Sequence, residues 1–236
     1  MKNLMLLPLL FFANIIYGQS FHYPVVQQQG KTMKDFAPPG WTVLASATGD
    51  LNKDNIPDAA VILQHKDSVN FVEQLDSGHT FTVVTQPRIL IILFKSKADN
   101  QFHLAEQNND FVMLHDSPTR EEPFQEMAID KGILKFDYQI FCNAGCWEIT
   151  NLTYKFRYQA NEFTLIGADY YSMHRATHAS QNYSFNFLTK RRTKNISAND
   201  DDKGYGDTKA IHIAALKTLK TLKSVFSWEV EKDFYL

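Results

Sequence analysis

The chain lacks an excess of charge of either sign, and this narrows the partners it can have. Among its 236 residues, 24 Lys and Arg stand against 26 Asp and Glu, for a formal net charge of −2. Proteins that attract nucleic acid or anionic membranes need a basic surface. We therefore expect no nucleic-acid partner for this chain.

Long apolar runs are scarce as well. The one candidate covers residues 4–16, follows the positively charged Lys2 and precedes the small residue Gly18. This pattern is typical of a secretory signal peptide and is too short for a membrane span. We therefore expect residues 1–18 to be a signal peptide, and the rest of the chain to be exported, periplasmic or secreted, with no membrane span.

Cysteine is limited to Cys142 and Cys146. A zinc site would need further ligands that the flanking residues do not offer, and a redox pair prefers two intervening residues where this chain has three. The two thiols flank a turn between predicted strands at 132–141 and 147–158, which brings them opposite each other. In an oxidising compartment this arrangement predicts a structural disulfide, with free thiols as the alternative.

Oxygen-bearing side chains, in contrast, are dense in residues 50–58. Asp50, Asn52, Asp54 and Asp58 would provide side-chain oxygens at loop positions 1, 3, 5 and 9, and Ile56 at position 7 would provide its backbone carbonyl. Because Ca²⁺ needs six to eight oxygens at short range, this spacing predicts a Ca²⁺-binding loop, with weak affinity of about 10⁻⁴–10⁻³ M. The alternative is an Asp- and Asn-rich turn without metal.

Two features of an EF-hand are missing from this loop. Asn55 stands at position 6, where an EF-hand has Gly, and Val61 at position 12, where it has Glu. Asn tolerates the left-handed backbone that Gly usually provides, so the turn can still form. The apolar residues that follow predict strands on both sides of the loop, at 41–48 and 59–64, instead of two helices.

The motif Gly49-Asp50-Leu51-Asn52-x-Asp54-Asn55-x-x-Asp58, followed by an apolar run, resembles the FG-GAP or VCBS-type repeat of integrin-like propellers. The resemblance implies that the loop holds Ca²⁺ between two strands, and residues 88–104 fit the pattern of such a unit. Only one such loop is present, so a full propeller is not expected. More loosely, the chain resembles bacterial secreted proteins that carry one such motif ahead of a β-rich remainder.

Aromatic residues and regular turns predict the fold class. The chain has 10 Tyr and 18 Phe, and short alternating runs are separated by turns rich in Asn, Asp and Gly. We therefore expect a mainly β protein with an antiparallel, hairpin-rich sheet, curled or sandwich-like. Residues 88–94 are almost continuously apolar, which predicts a central strand buried on both faces.

The domain organisation follows from composition along the chain. Residues 19–40 end in Pro-Pro-Gly and indicate an irregular lead-in, and residues 41–236 indicate a single β-rich domain. Runs of opposite charge with Gly predict a mobile, solvated loop at 190–207. Helical spacing predicts one C-terminal helix over 207–226, with a strand as the alternative, from Ile211, Ala215, Leu219, Leu222 and Phe226.

Three hypotheses for function remain open. The first is an exported, non-enzymatic β-rich protein with one structural Ca²⁺-binding loop. The second is a binding module for a glycan or a cell-surface protein, which would use exposed aromatic residues, namely Tyr170, Tyr171, Tyr183 and Phe185. The third is a hydrolase with a site assembled around His115, His174 and His178, although no nucleophile, base and orienting group are evident from their spacing.

His174 and His178 also have the i, i+4 spacing that suits zinc on a helix. The residues around them indicate the end of a strand and a loop, so we interpret both as surface histidines.

Overall fold

The computed structural model describes residues 21–74 and 79–236, so the predicted signal peptide lies outside the described residues. Within the described ranges, no helix has the length and apolar character needed to cross a membrane. Antiparallel strands form almost all of the regular structure, together with one short 3₁₀ helix at Met33–Phe36. This confirms the mainly β, hairpin-rich class.

The strands, in chain order, are β1 (Gln29–Gly30), β2 (Trp41–Gly49), β3 (Asp58–His65), β4 (Val69–Gln74), β5 (Thr80–Thr85), β6 (Arg88–Lys95), β7 (Phe102–Asn108), β8 (Phe124–Asp130), β9 (Ile133–Ile140), β10 (Glu148–Gln159), β11 (Glu162–His174), β12 (Ser180–Asn186), β13 (Arg191–Ser197), β14 (Tyr205–Ala210), β15 (Glu229–Glu231) and β16 (Phe234–Tyr235).

A five-stranded sheet with the order β1-β7-β6-β3-β2 places β3 and β6 at its centre. Alternate residues of β3 pack on opposite sides, with Val61 and Leu63 in one apolar core and Ala60 and Ile62 in the other. Residues 88–93 of β6 are buried along their whole length. The prediction of a central strand buried on both faces is therefore confirmed.

The second large sheet has seven strands in chain order, from β8 to β14, and the antiparallel sheets include a curled half-barrel. Its inner face carries the aromatic residues that form the main core with the five-stranded sheet. The Phe111 ring lies 5.0 Å from that of Phe136 and 5.2 Å from that of Phe156, in edge-to-face geometry. Such pairs add to the free energy gained by burying the rings.

Residues 21–40 of the lead-in are irregular apart from β1 and the 3₁₀ helix, but several of their apolar side chains pack against the five-stranded sheet. It covers the face of the five-stranded sheet that points away from the seven-stranded sheet. Val26 and Phe36 are buried there, and the rings of Phe21 and Tyr23 each lie 6.2 Å from Trp41. Because this second core packs on one face of the sheet and the main core on the other, β3 and β6 are buried on both faces.

The segment predicted as a mobile loop at 190–207 instead forms β13 and β14, joined by residues 198–204. One pair of opposite charges in this segment lies on facing strands. Arg192 points inward and forms ion pairs with Asp207 of β14 and Glu231 of β15. Backbone pairing of β13 with β14, together with this buried arginine, therefore replaces the solvated loop that we expected.

The C-terminal helix predicted over 207–226 is also wrong. After β14, the chain runs irregularly to the β15–β16 hairpin. Its backbone pairs with β11, since the Leu165 N–H donates to the Lys217 carbonyl and the Leu219 N–H donates to the Phe163 carbonyl. The helical spacing correctly indicated that Leu219 and Leu222 are buried. They are buried in an irregular segment that packs into the main core, however, and not on the face of a helix.

The predicted disulfide is present between Cys142 and Cys146, with the two Cα atoms 5.5 Å apart. It closes the turn between β9 and β10. The Asn143 N–H also donates to the Thr119 carbonyl at 2.8 Å, which fixes the turn against the segment before β8.

Replacing both Cys142 and Cys146 by Ser should lower the free energy of unfolding by about 2 kcal/mol, because the disulfide closes only a short loop. Urea unfolding measures this loss, and reduced wild-type protein is the matched control, which should give the same value. The oxidised protein, denatured without reductant, should show no free thiol. Two reactive thiols under those conditions would contradict the disulfide.

Candidate functional site

The predicted cation loop joins β2 to β3, as the flanking patterns indicated, and it lies where the two large sheets meet. Leu51 is fully buried in the core between the sheets. Gly49 lies so close to Ile129 of β8 that a Cβ atom at this position would overlap its side chain. The base of the loop is therefore fixed to both sheets.

The Asp50 carboxylate lies at the centre of the loop and accepts hydrogen bonds from its backbone. Oδ1 accepts from the N–H groups of Lys53 at 2.7 Å and Asp54 at 3.2 Å, and Oδ2 accepts from the Asn55 N–H at 2.9 Å. These contacts gather the backbone of the turn around one carboxylate. Asp50 therefore shapes the loop even without a cation.

Two loop residues adopt the left-handed backbone. Asn55 has φ 65°, which confirms that it takes the conformation usually given to Gly. Lys53 has φ 67°, and no sequence signal indicated this, because Lys has no particular preference for that region.

Asn52 and Asp54 lie on the outer side of the loop, where each caps a short turn. The Asn52 Oδ1 accepts from the Asp54 N–H at 3.0 Å, and the Asp54 Oδ1 accepts from the Ile56 N–H at 2.8 Å. The Asn52 side-chain amide also donates to Asp54 Oδ2 at 3.1 Å. These contacts fix the backbone next to the Ile56 carbonyl, the fifth predicted ligand.

Asp58 differs from the other predicted ligands because it is completely buried. Its Oδ2 accepts from the N–H groups of Leu51 at 2.9 Å and Asn52 at 3.2 Å, and its Oδ1 accepts from the Lys95 N–H at 2.9 Å. One carboxylate therefore connects the loop to the far end of β6. Sequence reasoning missed this role, although an acid that directly precedes a buried apolar run was a usable signal.

Burial raises the pKa of the Asp58 carboxyl above its ordinary value of 3.8, because desolvation penalises the charged form. The three backbone N–H donors act in the opposite direction, and the nearby Asp54 charge raises the pKa further. Keeping Asp58 ionised in the folded protein therefore costs free energy, and a positive charge close to the carboxylate would reduce that cost.

The loop carries negative charge that the described residues do not neutralise. Within 21–74 and 79–236, no Lys, Arg or His forms an ion pair with Asp50, Asp54 or Asp58. In the same ranges, no three acidic, His or Cys side chains are gathered into a ligand cage. The donor set fits Ca²⁺ in kind, since every ligand is an oxygen, and binding would exchange N–H contacts for metal contacts at Asn52 and Asp54.

Comparison with protein-family models, curated proteins and solved structures finds no match for this chain. The resemblance to FG-GAP and VCBS-type repeats therefore stays a prediction based on residues 49–58.

The aromatic residues predicted as one exposed row do not form it. Tyr183 and Phe185 are buried, and Tyr170 packs with them against Phe234 of β16. Tyr171 follows Tyr170 along β11, so its side chain points to the opposite face of the sheet. The C-terminal hairpin covers the inner face, which the local pattern did not reveal.

The three histidines of the hydrolase hypothesis lie in different surroundings. His115 has Nε2 2.7 Å from the Arg120 carbonyl, the His174 ring stacks on Trp147, and His178 pairs with Asp200. His178 and His174 share only a backbone hydrogen bond of 2.8 Å, from N–H to carbonyl. His174 is the last residue of β11 and His178 lies in the loop that follows, which agrees with the interpretation of a strand end and a loop at the surface.

Two buried arginines were missed by sequence reasoning. Arg88 donates from both terminal nitrogens to Glu122, at 2.8 and 2.6 Å, beside a cleft of about 590 Å³ that also contains His115. Arg192 on β13 of the seven-stranded sheet is also 3% exposed, and it lies beside a cleft of about 880 Å³. A charged residue at an inward strand position was the available signal, but its partner is remote in sequence.

Replacing Asp58 by Asn tests the burial of its charge. The raised pKa means that the folded state holds the proton more tightly, so ionisation opposes folding. Relative to Asp58→Asn, the wild type should be most stable below pH 3.8 and should lose that advantage as the pH rises through the raised pKa. Urea unfolding in chelator at several pH values measures the difference.

Asp202→Asn is the matched control, with the opposite sign. Backbone N–H groups, first that of Ala198 and then that of Gly204, hold the pKa of Asp202 below 3.8. The wild type should therefore gain over this variant above pH 3.8 and lose that gain as the pH falls through the lowered pKa. If the free energy of unfolding of the wild type instead rises relative to that of Asp58→Asn as the pH increases, the charge of Asp58 does not oppose folding and the account is wrong.

Proposed function

We propose that this chain is an exported, non-enzymatic β-rich protein in which residues 50–58 bind one Ca²⁺ and thereby stabilise the junction of the two sheets. One observation carries the proposal. Three carboxylates without ion-pair partners among the described residues lie in a loop of the five-stranded sheet that packs against the seven-stranded sheet, through Leu51 and the adjoining Gly49.

Asp50, Asn52, Asp54 and Asp58 would hold the cation through side-chain oxygens, and Ile56 through its backbone carbonyl. Ca²⁺ would supply positive charge and oxygen coordination. Asp50 meanwhile keeps the loop curved through its contacts with three backbone N–H groups.

Asp58 would carry the effect of the cation into the fold. Its carboxylate is bonded to the Leu51 N–H on the loop and to the Lys95 N–H on β6. A nearby cation offsets the cost of burying this negative charge, and it thereby stabilises the ionised carboxylate that accepts both hydrogen bonds. Loop order and sheet order would then depend on each other.

Export is supported by two observations. The disulfide between Cys142 and Cys146 suits an oxidising compartment, and residues 1–18 have the pattern of a signal peptide. Extracellular modules with few carboxylates bind Ca²⁺ at about 10⁻⁴–10⁻³ M, which is the affinity we expect.

Calorimetric titration of metal-free protein should show one Ca²⁺ site, and the melting temperature should rise with added Ca²⁺ by mass action. Asp54→Asn should weaken binding by about tenfold or more, because the site loses a charged ligand. It should change the metal-free stability little, since an Asn oxygen can still accept from the Ile56 N–H and the lost contact with the Asn52 amide is offset by weaker repulsion of Asp58.

Asp202→Asn is the control here too, because it removes a charge from a turn aspartate outside the loop that also accepts backbone hydrogen bonds. It should bind Ca²⁺ like the wild type. Asn55→Gly should keep or improve affinity, since it retains every ligand at a position with φ 65°. If millimolar Ca²⁺ changes neither the heat signal nor the melting temperature, the loop is only a turn.

Asp50→Ala is a weaker test of the same proposal. It should abolish Ca²⁺ binding, but it also removes the acceptor of three backbone N–H groups. A loss of stability with and without Ca²⁺ is therefore expected from its structural role alone.

A further inference from the structure

The inner face of the seven-stranded sheet forms an open cleft at its β12–β14 end. The C-terminal hairpin of β15 and β16 lies over part of this face, where Phe234 contacts the rings of Tyr170 and Tyr183. Between the hairpin and the strands remains a cleft of about 880 Å³, which is within the range of small-ligand sites.

Strand register arranges the inner face into three rows that run across β12, β13 and β14. Alternate residues of a strand share a face, and facing residues follow from the pairing. From the closed end to the open end, the rows are Phe185, Arg192 and Lys209, then Tyr183, Lys194 and Asp207, then Gln181, Ile196 and Tyr205. Along β13 the face opens, since Arg192 is 3% exposed and Ile196 is 38% exposed, and Tyr205 beside Ile196 on the edge strand β14 is 68% exposed.

Most of the charge in the closed row is neutralised. Arg192 is paired with Asp207 and Glu231, and the Lys209 Nζ lies 3.1 Å from Glu231. These pairs fix the wall of the cleft, because the Arg192 side chain is almost completely buried.

Lys194 in the middle row is different. In the part of the chain that the structure describes, no carboxylate forms an ion pair with it. Its Nζ lies 5.2 Å from the centre of the Tyr183 ring, and Lys232 also lines the cleft. The cleft therefore presents a lysine without an ion-pair partner among the described residues, although Glu231 and Asp233 also line it. Of its aromatic rings Tyr183 is buried, whereas Tyr235 is 48% exposed.

This combination suits a particular ligand chemistry. The exposed ring of Tyr235 can pack against the apolar face of a sugar ring, and the Gln181 amide and the lysines can bind hydroxyl and acidic groups. A small inorganic anion would not need a cleft of this size or the exposed Ile196 and Tyr205 beyond it. We propose that the cleft between β12–β14 and β15–β16 binds an oligosaccharide that carries carboxylate or sulfate groups.

The ligand extends from Lys194 toward Tyr205 along the strands. Its acidic group lies near Lys194, and a further sugar ring lies against Tyr205 in the open row. Chain length and charge of the ligand therefore affect binding separately.

Isothermal titration with trigalacturonate and with a chondroitin sulfate tetrasaccharide tests the proposal, in chelator so that the loop at 50–58 plays no part. At least one of the two should bind, and which one binds distinguishes carboxylate from sulfate recognition. Neutral maltotriose should bind at least tenfold more weakly. Lys194→Gln should weaken binding of the acidic sugar tenfold or more.

Tyr205→Ala tests the open row. It should weaken the binding of trigalacturonate several-fold and leave the binding of digalacturonate unchanged. Lys155→Gln is the matched control, since Lys155 pairs with Asp169 on the outer face of the same sheet, and it should have no effect. Unchanged melting temperatures would show that the variants fold.

Absence of binding by both acidic sugars at millimolar concentration would overturn the proposal. Equal binding of maltotriose, or binding that Lys194→Gln does not weaken, would also overturn it. Tighter binding of triglutamate than of either sugar would assign the cleft to acidic peptides instead.

Discussion

The burial of β3 and β6 on both faces is the constraint on which the rest of the structure depends. Between two apolar cores, every polar group of these strands must find a partner inside the protein. Asp58 meets this requirement at the start of β3 by accepting N–H groups from Leu51, Asn52 and Lys95. The same three contacts connect the loop with β3 and β6 of the five-stranded sheet. Leu51, which donates one of them, packs in the core between the two sheets, so the state of one carboxylate also affects their junction.

The sequence was sufficient to predict the elements whose partners are close along the chain. Alternation and turn residues predicted the hairpins, continuous apolar character predicted the central position of β6, and the spacing of Cys142 and Cys146 predicted the disulfide. Residues 190–207 and the C-terminal segment could not be predicted in this way. Their conformation depends on remote contacts, such as that of Arg192 with Glu231 and that of Leu165 with Lys217.

The candidate site likewise has features that local sequence predicts and features that depend on remote contacts. The alternating oxygens of residues 50–58 and the left-handed Asn55 follow from local spacing and turn chemistry. The burial of Asp58 and its contact with Lys95 depend on a strand that lies 37 residues further along the chain. Likewise, the cleft beside Lys194 exists only because β15 and β16 return over the sheet. Local pattern therefore predicts which residues have suitable chemistry, and tertiary packing decides which of them meet.

Amide hydrogen exchange at Lys95 tests most directly the claim that a cation in the loop stabilises the sheet junction. The Lys95 N–H donates to Asp58, whereas the His65 N–H, at the other end of β3, donates to the Pro87 carbonyl and serves as the internal reference. We expect Ca²⁺ to slow exchange at Lys95 more than at His65, compared with chelator. Exchange at Lys95 that is the same with and without Ca²⁺, or that changes no more than exchange at His65, would contradict the account.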